Sequence, residues 1–215
     1  MATLAEVARR LNWPHGQRHL PRLILMTDPE RLPDPLAAIA RLPRGAAVIL
    51  RHADDRERAQ VAARLAATCR RRGLRLLIAA DPHLARACAA DGLHLPERSL
   101  RHGSGVWRRL RRPGWLVTAA AHSAAAIAAA TRAGVDAVLL SPVFPTASHP
   151  EAVPLGPVRF ARLVRASRIP VYALGGIGGA AALRLKLSGA AGFAAIGGLA
   201  DGPAQASAAG LSSRP

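Results

Sequence analysis

The sequence predicts a single α/β domain, a (β/α)8 TIM barrel with an extra N-terminal helix. Short apolar runs alternate with longer stretches rich in Ala, Leu and Arg, a pattern typical of parallel strands joined by crossover helices. There are eight such runs, the number that closes a barrel of this type. With 215 residues and a hydrophobic content of 50%, the chain can bury the core of one such domain.

Each candidate strand is a run of four to six mostly apolar residues. The strands are predicted at 23–27, 47–51, 74–79, 92–95, 116–121, 137–140, 171–174 and 192–196. The helices are predicted at 4–11, 35–42, 55–72, 82–90, 99–110, 123–133, 157–166 and 180–188. Gly73, Gly134 and Gly189 follow basic last turns and suit C-terminal caps. We expect residues 1–20 to form an N-terminal extension, 21–200 the barrel and 201–215 a tail.

The formal charge of +17 raises the question of nucleic-acid binding. The basic residues are spread through every helical stretch, and aromatic residues make up only 3%, so no stacking surface for bases is expected. We therefore interpret the charge as a solvated surface and predict no specific nucleic-acid partner.

The chain has no apolar run near the length of about 18 residues that a membrane span needs, and its first 20 residues are polar and Arg-rich. We expect a cytoplasmic protein without a membrane partner.

Cys69 and Cys88 match no metal-ligand spacing and are predicted to be small buried residues. The sequence does not fix the oligomeric state, and a homodimer is compatible with it.

Barrel active sites lie at the C-terminal ends of the strands. Two glycine-rich loops occupy that position after strands seven and eight, Gly175 with Gly176 and Gly197 with Gly198. Backbone N–H groups at adjacent helix starts can bind an anion, so these loops predict a phosphate site. The alternative is that the glycines only allow tight turns.

Polar residues also follow the other strands. After strand six, Thr146, Ser148 and His149 lie in a proline-stiffened loop and are candidates for contacting a polar substrate; a rigid surface turn is the alternative. Arg51 ends predicted strand two and Asp81 follows strand three, and both are further candidates for substrate binding. Asp81 precedes Pro82, so it is equally suited to cap a helix.

Several short segments together resemble one known family. They are Asp91-Gly92-Leu93-His94-Leu95, Ala121-His122-Ser123, Gly134-Val135-Asp136, Ser141-Pro142-Val143-Phe144-Pro145-Thr146 and Leu174-Gly175-Gly176-Ile177. In order and spacing they resemble thiamine phosphate synthase and its relative, the thiazole tautomerase TenI, over about residues 23–199. The resemblance implies a (β/α)8 fold, a role in thiamine biosynthesis and a small-molecule partner, a thiazole phosphate held by the last two loops.

The synthase joins hydroxymethylpyrimidine diphosphate to thiazole phosphate. It needs carboxylates that hold magnesium, and cations that stabilise the negative charge of the departing diphosphate. Its pattern Arg-Glu-Lys reads Arg51-His52-Ala53 here, and its loop lysine falls on His149. Of the two aspartates implied to hold magnesium, Asp81 is present but Ser99 stands at the other position. We therefore predict no metal site and no cofactor; Mg²⁺ would be needed only by a synthase.

The TenI pattern has a histidine at the end of strand five, where this chain has His122, and a Leu-Pro after strand four, as in Leu95-Pro96. An imidazole suits proton transfer near neutral pH, so His122 is the predicted catalytic acid/base of a metal-independent isomerase. A capping or packing role is the alternative for this residue.

Two other functions stay open. In a divergent transferase of the synthase type, the diphosphate and magnesium would be handled by Arg51, Asp81, Glu97 and His149. A barrel without activity would only bind the thiazole phosphate.

Overall fold

The structure, a computed structural model, describes residues 2–11, 19–51, 55–101, 105–146, 151–196 and 199, without the side chains of Asp55, Arg56 and Arg101. Its eight strands pair in chain order, and the last strand pairs with the first in parallel to close the barrel. The predicted fold class is confirmed.

Every predicted strand is present to within one residue at each end. The strands are β1 (Leu23–Met26), β2 (Ala47–Leu50), β3 (Arg75–Ala79), β4 (Gly92–Leu95), β5 (Leu116–Ala121), β6 (Ala137–Leu140), β7 (Val171–Ala173) and β8 (Gly192–Ala195). Alternate side chains fill the barrel interior, as Ile24 and Met26 do, while Leu23 and Leu25 pack in the layer beneath the helices. Burial on both faces explains why these strands are continuous apolar runs.

The helices follow the predicted order. They are α1 (Leu4–Arg9), α2 (Pro35–Ala40), α3 (Asp55–Arg72), α4 (Pro82–Ala87), α5 (Arg98–Arg101), α6 (Val106–Leu110), α7 (Ala124–Ala133), α8 (Gly156–Ala166) and α9 (Gly179–Leu183). The helix expected at 99–110 is two short helices, α5 and α6. The helix expected at 180–188 ends at Leu183, and the Ser188 hydroxyl then donates to the Leu185 carbonyl in the turn that follows.

The N-terminal helix is fixed by local chemistry and by packing. Thr3 and Glu6 form a capping box, in which each side chain accepts a hydrogen bond from the other residue's backbone N–H. Ala2 lies so close to α9 that a Cβ atom on Gly179 would stand 2.0 Å from the Ala2 carbonyl oxygen. The start of this segment is therefore packed against the start of α9.

The predicted cap at Gly134 and the predicted burial of Cys69 are confirmed, whereas Cys88 is less buried than predicted. Gly134 ends α7 in the left-handed conformation, and its N–H donates to the Ala130 carbonyl. Cys69 is buried and Cys88 half-buried, and both are free. Burial raises the pKa of the Cys69 thiol to about 12.

Among the described helices, none combines the length and apolar character that crossing a membrane would require.

Candidate active site

A cavity of about 410 Å³ opens at the C-terminal ends of the strands, where barrel enzymes hold their substrates. Its walls come from the C-terminal ends of β1 to β7 and from two of the helices, α3 and α5. The lining residues are Met26, Arg51, Arg58, Ala79, Ala80, His94, Pro96, Arg98, Ala120, His122, Ser141 and Leu174. The predicted residues Arg51 and His122 therefore face one cavity.

His122 stands directly after β5 and is held by Glu97, which follows β4. One carboxylate oxygen, Oε2 of Glu97, accepts from His122 Nδ1 at 2.7 Å and from the His122 backbone N–H at 3.0 Å. The His122 side chain is 51% exposed and that of Glu97 only 18%. Because a carboxylate only accepts, Nδ1 carries the proton, and Nε2 of a neutral ring is left with a lone pair. This arrangement suits a general base.

A second histidine lies deeper in the cavity. His94 on β4 is buried, and its Nδ1 is 2.9 Å from Oγ1 of Thr118 on β5. Burial, with a smaller contribution from the positive charge of Arg51, lowers the pKa of His94 to about 4. His94 is therefore neutral at neutral pH and serves as a hydrogen-bonded floor to the cavity.

Three arginines line the same cavity. Only one of them, Arg51, is a site residue predicted from the sequence. Arg51 is placed by its backbone N–H, which donates to Thr27 Oγ1 at 3.0 Å. Arg58 reaches over from α3, and its Nη2 donates to the Ala79 carbonyl. Arg98 begins α5 and is exposed. Arg58 and Arg98 could not be recognised from the sequence because arginines occur in every predicted helix.

The described carboxylates Asp28 and Asp81, at this end of the barrel, are engaged in local contacts with backbone N–H groups. Asp81 caps α4, its Oδ1 accepting from the Leu84 N–H at 2.9 Å, and Asp28 accepts from the Arg31 backbone N–H at 3.1 Å. In the part of the chain that the structure describes, no three His, Cys, Asp or Glu residues could together hold a metal. Because Mg²⁺ requires several well-placed oxygen ligands, these residues do not fit it. A role for Asp81 in substrate binding stays a prediction.

The glycine loop after β7 has a structural reason for its composition. Gly175 and Gly176 have φ values of +90° and +66°. A Cβ atom would lie 2.9 Å from Pro142 Cα at Gly175 and 2.4 Å from the Pro145 carbonyl oxygen at Gly176. These glycines are therefore required by the loop after β6, which packs on them. This differs from the predicted reason, close approach of an anion.

The same loop nevertheless keeps free donors. Within the described ranges, no oxygen accepts from the backbone N–H groups of residues 175–178. A Cβ atom built on Gly178 would meet no atom within 4 Å. The loop thus has unused N–H groups, with open space at Gly178, and this is compatible with anion binding.

The remaining predicted residues are only partly placed. Thr146 is half-buried at the end of the described part of the loop after β6. Ser148, His149, Gly197 and Gly198 lie outside the described residues, as does His52. Their roles stay predictions, and so does the second phosphate loop.

Comparison with known proteins gives one consistent result. The model of the family described as thiamine monophosphate synthase matches residues 23–199. A protein of Aquifex aeolicus with the provisional name thiamine-phosphate synthase 2 is 37% identical over 163 residues, 74% of this chain and 86% of that protein. The thiamine-phosphate synthase of Chlorobium luteolum is 34% identical over 191 residues, 86% of each chain.

A solved structure shares the fold. Thiamine phosphate pyrophosphorylase from Pyrococcus furiosus superposes with a TM-score of 0.66 at 23% identity, over 84% of this chain and 87% of that one. Because only 23% of the aligned residues are identical, this similarity shows a shared barrel fold and nothing about the activity.

Proposed function

This chain belongs to the thiamine monophosphate synthase family, and we propose that its barrel binds thiazole phosphate and acts on it in thiamine biosynthesis. The cavity at the C-terminal ends of the strands is the substrate site. The unused N–H groups of residues 175–178 hold the phosphate, because consecutive backbone donors bind an anion well.

The first candidate reaction is metal-independent tautomerisation of the bound thiazole, an isomerisation. The observation that carries it is the contact between His122 Nδ1 and Glu97 Oε2 at 2.7 Å, at the rim of the cavity. It leaves Nε2 of His122 to take a proton from one position of the substrate and return it at another. No electrons are exchanged with a second reactant, so neither a redox cofactor nor a metal is required.

Glu97 supports this reaction in two ways. Its two hydrogen bonds fix the tautomer and the orientation of the imidazole. Its negative charge also stabilises the imidazolium that forms when Nε2 accepts a proton. We therefore assign His122 as the acid/base and Glu97 as its positioning residue.

The second candidate is a transferase of the thiamine-phosphate synthase type. The names of the relatives support this reaction better than they support the isomerase. The cavity also holds three arginines, which could stabilise the charge of a departing diphosphate. Because the described carboxylates Asp28 and Asp81 are engaged in local contacts, guanidinium groups would carry most of the stabilisation of the departing diphosphate in this reaction.

One experiment separates the candidates. The purified protein is incubated with the thiazole phosphate tautomer, with and without hydroxymethylpyrimidine diphosphate, in Mg²⁺ or in EDTA, and each product is followed. Isomerisation that is equal in EDTA and Mg²⁺ supports the first candidate. Coupling of the two precursors supports the second. Binding without either product identifies a barrel that only sequesters the compound.

A further inference from the structure

We propose that the N-terminal mouth of the barrel holds a second binding site, for a small anion that carries several phosphate groups. A cavity of about 410 Å³ opens there, at the end of the strands opposite to the substrate cavity. Its lining comes from α1 and from the residues around the starts of β1, β2 and β3. Small-molecule sites typically enclose roughly 300–1,000 Å³, so the cavity is large enough for such a ligand. The site does not depend on the proposed function, because it lies at the other end of the barrel.

Five basic side chains line this cavity, and none of its described lining residues is acidic. The five are Arg9 on α1, His19 and Arg22 before β1, Arg44 before β2 and Arg75 at the start of β3. Among the described ion pairs, none involves Arg9, Arg44 or Arg75. Like charges around one cavity repel one another, and an anion with several negative charges relieves that repulsion. The cavity therefore favours a polyanion.

The alternation of side chains along the strands places two of these arginines at the mouth itself. Ile24 and Leu77 fill the barrel interior, and Arg22 and Arg75 stand two positions before them, on the same faces of β1 and β3. Both arginines are half-buried. Burial raises the pKa of Tyr172 in the interior, and the positive charge of Arg75 opposes this shift. The charge of Arg75 therefore lies close to the interior of the barrel, where solvent screens it less than at the surface.

Two of the arginines are held in place by the backbone around them. Nη1 of Arg22 donates to the carbonyl of Arg9, at the end of α1. The guanidinium of Arg44 lies against Gly73, since a Cβ atom on that glycine would stand 2.9 Å from Arg44 Nη2. The loop that carries Arg44 is fixed as well, because the Gly45 N–H donates to the Gly73 carbonyl at 2.9 Å. Donors that are already in place lose little conformational entropy when a ligand binds.

The donors of this site match the oxygens of phosphate groups. Arginine stays protonated at all relevant pH values, and its planar donors bind phosphate oxygens in pairs. Two carboxylates on neighbouring elements are engaged in local hydrogen bonds: Glu6 forms the capping box with Thr3, and Asp91 accepts from the Leu76 N–H at 2.8 Å. The arginines come from separate parts of the chain, so a ligand with two or three linked phosphate groups can contact more of them than a single phosphate can.

The test uses inorganic tripolyphosphate as the probe, measured by isothermal titration calorimetry at physiological salt in EDTA. We expect it to bind at least about tenfold more tightly than inorganic phosphate, since each added phosphate group adds charge-assisted contacts. Absence of binding, or equal affinities for the two anions, would overturn the proposal. ATP is titrated in parallel, because a triphosphate group occurs both in nucleotides and in inorganic polyphosphate. A nucleotide occupant requires ATP to bind at least as tightly as tripolyphosphate; weaker binding of ATP identifies the inorganic anion as the ligand.

Matched variants locate the bound anion. Arg44→Gln and Arg75→Gln should each weaken tripolyphosphate binding about tenfold or more. Two control variants carry the same charge change and should leave this binding unchanged. They are Arg98→Gln, in the substrate cavity, and Arg132→Gln, at an exposed position of α7 outside both cavities. Equal losses in all four variants would show binding by net charge only, and a loss confined to Arg98→Gln would place the anion in the substrate cavity. Either result would sink the proposal.

Two further measurements keep the result interpretable. Thermal unfolding is measured for each variant, and Arg44, which is exposed, decides the matter if Arg75→Gln is unstable. A ligand that binds only the folded protein raises its Tm, so tripolyphosphate should raise the Tm of the wild type more than that of Arg44→Gln. Thiazole phosphate affinity is measured in parallel and should be the same in both proteins. If it persists when tripolyphosphate fails to bind, the second site is wrong while the proposed function stands.

Discussion

One oxygen of Glu97 binds both the ring Nδ1 and the backbone N–H of His122, at 2.7 and 3.0 Å. The two residues are 25 positions apart in the chain. They meet because β4 and β5 are neighbouring parallel strands, so the residues that follow their C-terminal ends lie side by side. The imidazole is thereby oriented by backbone and side chain together.

Replacing His122 tests its role as acid/base. His122→Ala and His122→Asn should lower isomerase turnover by about 10²- to 10⁴-fold, because neither side chain exchanges protons near neutrality. Affinity for thiazole phosphate should change little, since we propose that the N–H groups of residues 175–178, and not His122, supply the phosphate contacts. Both are measured by steady-state kinetics and calorimetry. Wild-type turnover in His122→Asn would remove His122 from the mechanism.

Replacing Glu97 tests whether it acts through His122. Glu97→Gln keeps the size and one acceptor oxygen but loses the charge, so kcat should fall about 10- to 100-fold with KM nearly unchanged. Glu97→Asp, which restores the charge, should recover part of this loss. A purely structural role would instead lower Tm in Glu97→Gln and leave kcat of the folded protein intact, contrary to our expectation.

The glycine loop offers a matched pair of variants. Gly178→Val should fold normally, because a Cβ there meets no atom within 4 Å, yet it should weaken thiazole phosphate binding by filling the proposed anion space. Gly176→Ala should destabilise the fold by at least about 2 kcal/mol, since it combines a positive φ with a close contact to Pro145. Denaturant unfolding and calorimetry measure both effects. Unchanged affinity in Gly178→Val would argue against the cradle.

His94 makes stability depend on pH. Its pKa is about 4 in the folded protein and 6.5 for an unperturbed histidine, so between these values the unfolded chain binds the proton and the folded protein does not. Stability should therefore fall as the pH drops from 6.5 to 4, by up to about 3 kcal/mol from this group. Urea unfolding across this range measures it.

The control for this prediction is His94→Gln, which can still hydrogen-bond to Thr118 but does not titrate. Its stability should decline less steeply with acid than that of the wild type. The difference between the two slopes isolates His94 from the carboxylates that titrate in the same range. Parallel slopes would mean that His94 is not the group responsible.

The sequence by itself determined the barrel, and it predicted the strand ends at which the candidate site lies. Strands buried on both faces must be apolar throughout, and this is why their ends could be predicted to within one residue. His122 and Arg51 could be selected because each directly follows such a strand. The family resemblance rests on the same strand ends, and the family match to residues 23–199 agrees with it.

Only the tertiary structure decided which side chains act together. Contacts between Glu97 and His122, or between Arg58 and the cavity, join distant parts of the chain, and one sequence contains no signal for them. Only the structure likewise shows why residue 176 is a glycine. The loop after β6 packs so closely on the loop after β7 that a side chain there would collide with Pro145. Periodicity reports which face of an element is buried, whereas chemistry at a site depends on distances across the fold.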